Sequence, residues 1–189
     1  MKKIVMRVLA VILVLPMIAD YTYFTINIFK DKPKYLTTHM EVFYILDILA
    51  LIAVIVGVII GKYVISLTGI MAYSTIYLIS IISQIGNVMS LNAIMIAQCI
   101  PPLIIFIMMV LLAAKMINPI PVVIVVIATT ILDLFLDFYV RIIGNHMNFF
   151  ALGNLRLVIT NICYCIAIVL ITLLVGKREN NQSVNNGSL

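Results

Sequence analysis

Six runs of apolar residues, each about as long as a bilayer core demands, set the limits on what this chain can fold into. A hydrocarbon layer about 30 Å thick takes about 20 residues of α-helix. Runs near 4–29, 42–60, 63–85, 92–114, 120–140 and 157–175 meet that length. Lipid offers no hydrogen bonds, so a spanning backbone must satisfy its own N–H and C=O groups, and a run of this kind is a helix. The expected fold is therefore an all-α integral membrane protein, a bundle of about six transmembrane helices. Composition agrees: 10% of the residues are charged, against about 25% in an ordinary soluble domain, and the mean hydropathy is +1.25. Residues 1–176 form one transmembrane domain, and the polar tail 177–189, KRENNQSVNNGSL, is expected to be disordered. Because apolar character continues to residue 175, the first run reads as a retained helix and not as a cleaved signal peptide.

The interruptions are informative. Only Gly61 and Lys62 separate the second run from the third, which predicts a tight antiparallel hairpin. Pro16 lies inside the first run and removes a backbone hydrogen bond, so helix 1 should kink or divide there. Pro101 and Pro102 push the preceding residues out of helical geometry and predict a break in helix 4. With six crossings both termini share a side. Placing them inside puts Lys2, Lys3, Arg7, Lys62, Lys115, Lys177 and Arg178 inward, against Lys30, Lys32, Lys34, Arg141 and Arg156 outward, a margin of seven to five. That margin favours cytoplasmic termini in a bacterial type of cell membrane, although three lysines on one outer loop run against the trend.

Charges inside the runs are few and all lie in the outer half under this topology. Asp20 is in the first run, Asp47 in the second, Asp133 and Asp137 in the fifth, with Arg141 and Arg156 at the adjoining ends. A charge at the bilayer centre costs about 3 kcal/mol on insertion scales, so such residues face a bundle interior or water. In TTILDLFLDFYVRIIG, Asp133, Asp137 and Arg141 recur every four residues, about 40° and about 6 Å apart on a helix, and form one ladder. Arg141 is placed to pair with Asp137, which leaves Asp133 the deeper and less compensated acid. The plainer alternative is that these acids pair with Arg141 and Arg156 and merely fix register near the surface. Arg156 suits an anionic substrate or a lipid phosphate. In the third run Ser80, Ser83, Gln84 and Asn87 share one face and either glue helices or add neutral groups to the same cavity. The expected solute-contacting set is Asp20, Asp47, Asp133, Asp137, Arg141, Arg156, Gln84 and Asn87.

Other chemistries find no support. The net charge of +5 is spread over membrane-flanking segments and forms no nucleic-acid patch. Cys99, Cys163 and Cys165 lie in apolar runs without CxxC spacing or histidines to complete a zinc site, so no metal or cofactor is expected, and they read as small core residues. His39 and His146 read as loop residues. The methionines read as core filler. With no tryptophan, the nine tyrosines are left to anchor helix ends at the interface. No Ser-His-Asp arrangement, phosphate loop or HExxH motif occurs.

The six-helix plan with its outward polar cluster is similar, in architecture alone, to the substrate-binding subunits of energy-coupling-factor vitamin transporters. The first helix, VMRVLAVILVLPMIAD, lacks the alanines spaced by three with which such subunits dock their partner. The segment DFYVRIIGNHMNFFALGNLRLVITNI resembles lipoprotein signal peptidases, in which an aspartate-containing stretch precedes an asparagine-containing one at the next helix. There a second catalytic aspartate follows the asparagine, whereas Asn154 is followed by Leu155, Arg156 and Leu157. Neither resemblance establishes a family. Three functions stay open: capture or transport of a cation, a proton or a cationic solute; an intramembrane hydrolase using two aspartates; and a non-catalytic accessory protein whose charges fix packing. The expected partners are the bilayer, a small molecule or ion, and a second membrane protein.

Overall fold

The computed structural model describes residues 2–31, 40–84, 92–139 and 152–186, with side chains described for 3–27, 42–83, 93–139 and 155–176. Among the described residues seven helices follow in chain order: α1 Lys2–Asp31, α2 Met40–Ile60, α3 Tyr63–Gln84, α4 Asn92–Gln98, α5 Ile100–Ala113, α6 Pro119–Tyr139 and α7 Leu152–Asn186. The pair α4 and α5 makes one span, Ala93–Ala113, so six stretches are long and apolar enough to cross a membrane. The protein is an all-α membrane bundle, as the apolar runs require.

Each span packs against its neighbours in sequence, and α7 closes on α1, so the six spans form a ring with α3 also touching α7 across the middle. The outer surface of the ring is apolar. On α6, Ile120, Ile124, Ile127, Ile131 and Phe135 are exposed, while Val122, Val126 and Thr129, on the opposite face, are buried. That stripe faces lipid, and the helix presents its polar residues inward.

The half of the bundle that holds the start of α1 and the α2–α3 turn is tightly packed. Its core includes Val14, Leu51, Val58, Leu67, Leu112 and Ile171, all essentially without exposure. In a membrane no hydrophobic force draws helices together, so small residues that let backbones approach carry the association. A Cβ on Gly57 would lie 2.5 Å from the Ser66 backbone nitrogen, and one on Gly69 would lie 2.8 Å from the Ala50 carbonyl oxygen. The Ser66 hydroxyl donates to the Val54 carbonyl at 3.1 Å and ties the same two helices. The predicted hairpin is present: Gly61 adopts φ +76, a left-handed conformation suited to glycine.

The two prolines predicted to interrupt the fourth span do so. Cys99 separates α4 from α5, and Pro101 and Pro102 fall in the first turn of α5, where a missing N–H leaves no helical bond unmade. At Pro16, where a kink or a division is expected, α1 continues without division. A proline inside one membrane helix removes one bond and is tolerated where neighbours crowd it. At the end of the chain α7 continues past the apolar span, which ends at Gly176, to Asn186. The segment KRENNQSVNN contains neither proline nor glycine to stop a helix.

Candidate functional site

The other half of the bundle encloses a cavity of about 520 Å³. All four membrane aspartates line it: Asp20 from α1, Asp47 from α2, and Asp133 and Asp137 from α6. Their convergence follows from the local sequence. Asp133 and Asp137 continue the inward face of Val122, Val126 and Thr130, because all are spaced by close to whole turns. Asp47 lies one turn before Leu51 and two before Val54 on the buried face of α2, and only 3% of it is exposed.

The four carboxylates differ in their partners. Asp20 accepts a hydrogen bond from Arg156 Nε of α7 and forms an ion pair with it. The Arg156 guanidinium also lies over the rings of Tyr23 and Phe24, 4.6 and 5.5 Å from their centroids. Asp137 accepts a hydrogen bond from the Gln98 side-chain amide at 2.8 Å. By contrast, Oδ1 of Asp47 and Oδ1 of Asp133 are buried and accept no hydrogen bond from any described residue. Burying such an atom unpaired is expensive, so these two acids are the ones that ask for an explanation.

Aromatic rings form a wall that runs through the cavity. Phe24 stacks on Tyr44 at 6.1 Å, Tyr44 meets Tyr21 at 5.7 Å, Tyr21 meets Tyr73 at 6.2 Å, and Tyr73 meets Tyr164 at 5.0 Å. Tyr77 stacks on Tyr73 at 6.3 Å. The hydroxyls of Tyr21 and Tyr73 share a hydrogen bond of 2.7 Å, while the Tyr164 hydroxyl is buried and has no partner among the described residues. Tyr73 and Tyr164 also belong to the hydrophobic core, so they mark the boundary between packed half and cavity. Pro101, Pro102 and Gln98 at the α4–α5 break complete one side. Irregular backbone at membrane depth is tolerated where it lines such a space.

Several readings of single residues need correction. Five tyrosines line the cavity and do not serve as interfacial anchors, because their rings pack between helices. Arg156, expected to suit a substrate or lipid anion, is paired with Asp20; its head group reaches α1 because α7 packs against that helix. Gln98, Asn161, Thr130 and Thr160 line the cavity and were not singled out by sequence. The one hint was Gln98, a polar residue just before the proline pair. Of the polar face on α3, Ser80 lines the cavity, and Ser83 is exposed and donates to the Ser80 carbonyl. The Gln84 side chain, Asn87, Arg141, His39 and His146 lie outside the described residues. Cys99, Cys163 and Cys165 form no disulfide and are half-buried, and Cys165 packs against the hydrophobic core. Met109 is core as expected, whereas Met95, though buried, borders the cavity.

Among the described residues no group of three or more His, Cys, Asp or Glu side chains is arranged to hold a metal ion. Among the described residues no lysine, arginine or histidine lines the cavity. The chemistry on offer among the described residues is therefore that of an acid-lined, aromatic-walled chamber with two carboxyl oxygens free to accept hydrogen bonds. Comparison with protein-family models, with curated proteins and with solved structures finds no match to this chain.

Proposed function

We propose that the protein captures a cation in this acidic cavity and acts as a small transporter or a solute-binding membrane subunit. The observation that carries the reading is the convergence of Asp20, Asp47, Asp133 and Asp137 from three helices on one cavity that no basic residue among those described lines. Carboxylates inside a membrane generally mark ion, proton or solute pathways, since their cost must be offset by use. In this reading the cavity opens outward in a bacterial type of cell membrane and both termini are cytoplasmic, in keeping with the lysine and arginine count. Asp47 and Asp133 bind the cation directly. Asp137, held by Gln98, sets the local charge, and the Asp20–Arg156 pair closes the side at α7.

Thermal unfolding of the purified protein in detergent, with a panel of alkali, divalent and amine salts, tests the reading. A cation that binds only the folded state should stabilise it by about 2.7 kcal/mol at a hundredfold excess over its Kd. The native chain should show such stabilisation with at least one cation, and Asp133→Asn should lose it. If no cation stabilises the native chain, the reading fails.

One observation favours a second reading, an intramembrane hydrolase. Asp47 and Asp133 come from different helices and each keeps an uncommitted oxygen, as a pair sharing an attacking water would. Such an enzyme would cleave a membrane-embedded peptide or ester and lose that activity in both Asp47→Asn and Asp133→Asn.

A further inference from the structure

The cavity contains more than acids, and its composition narrows the ligand. We propose that the cation is a protonated primary or secondary amine with an apolar, ring-sized body and no carboxylate of its own. This rests on the cation-capture reading and makes it more specific.

Size comes first. A volume of about 520 Å³ falls in the range of sites for organic ligands, about 300–1,000 Å³, and far exceeds the needs of a bare ion or a proton. The aspartates are distributed along the walls and do not converge as a metal shell does. The aromatic wall comes second. Tyr21, Tyr44, Tyr73, Tyr77 and Tyr164 present ring faces and edges to the space that the acids charge. Rings attract organic cations through their quadrupole and bind apolar bodies by contact. A strongly hydrated mineral cation gains little from such a wall.

The unpaired atoms decide between kinds of organic cation. Asp47 is almost wholly buried and its Oδ1 accepts no hydrogen bond, and the same holds for Oδ1 of Asp133. The Tyr164 hydroxyl is likewise unpartnered among the described residues. An ammonium bearing N–H donors satisfies these acceptors, whereas a quaternary ammonium has no donor to offer. Among the described residues a ligand carboxylate would meet four aspartates and no basic lining residue, and the Arg156 guanidinium is bound to Asp20. Simple amines therefore suit the described lining better than amino acids do.

Isothermal titration at neutral pH tests this with phenethylammonium, hexylammonium, tetraethylammonium, phenylalanine, potassium and magnesium as chloride salts or free amino acid. The native protein should bind phenethylammonium and hexylammonium, and should bind tetraethylammonium and phenylalanine about tenfold more weakly or not at all. Asp47→Asn should weaken phenethylammonium about tenfold or more, since it removes a charge-assisted acceptor. Tyr77→Leu, a milder change in a half-buried wall residue, should weaken the aryl amine by about threefold to tenfold and so tests the wall if Asp47→Asn fails to fold. Arg7→Gln, at the opposite end of the bundle, should bind as the native chain does. If potassium or magnesium binds in a manner lost in Asp47→Asn while neither amine binds, the amine assignment is overturned and cation capture stands. If tetraethylammonium binds as tightly as phenethylammonium, the N–H requirement is overturned. If no probe binds, the assignment and the capture reading fall together.

Discussion

The two halves of this bundle solve opposite problems with the same six spans. In the packed half, Gly57 and Gly69 let α2 and α3 meet backbone to backbone, Gly176 lies against the Pro119 ring, and branched aliphatic residues fill what remains. In the other half, rings and acids line a cavity beside the break at Cys99. The packed half supplies the association that a membrane does not supply by hydrophobic force. The open half can then carry unpaired polar atoms at a cost the rest of the fold absorbs. Stability and function are in this way separated along the helix axes, and substitutions in the two halves should behave in opposite ways.

The largest effect is expected in the packed half. Gly57→Leu forces a side chain into the Ser66 backbone, which cannot yield as a flexible side chain would. It should cost about 3 kcal/mol or more, measured by denaturant unfolding in mixed micelles. A Gly57→Leu protein as stable as the native one would break the comparison, because close approach of α2 and α3 would then not be what holds the bundle. A smaller loss sharpens it at the cavity's edge. Arg156→Gln leaves the Asp20 carboxylate, 16% exposed, without its cation, and should destabilise by about 1–2 kcal/mol. Asp20→Asn in the same chain should recover part of that loss, a coupling that a double-mutant cycle reads directly.

Much of the fold was legible because the bilayer imposes a length. Six runs, the hairpin at Gly61 and the break at Pro101 and Pro102 all follow from constraints on single segments. The four aspartates were legible for a related reason, that charge in an apolar run is conspicuous. Their partners were not. Asp20 and Arg156 are 136 residues apart, and nothing local to either says that α1 and α7 are neighbours. The tyrosine wall escaped notice because tyrosine is ordinary at membrane interfaces and carries no periodic signal. Tyr73, Tyr77 and Tyr164 become informative only when α3 and α7 are seen to face one cavity.

The central claim is that Asp47 and Asp133 are kept for a ligand and not for the fold. The most direct measurement is the unfolding free energy of Asp47→Asn and Asp133→Asn at neutral pH with no ligand added. An amide of the same shape removes a buried carboxylate that no described residue satisfies, so each variant should be at least as stable as the native chain, by up to about 3 kcal/mol. A loss of about 3 kcal/mol or more in both would contradict the account, for it would mean that these carboxylates hold the bundle together.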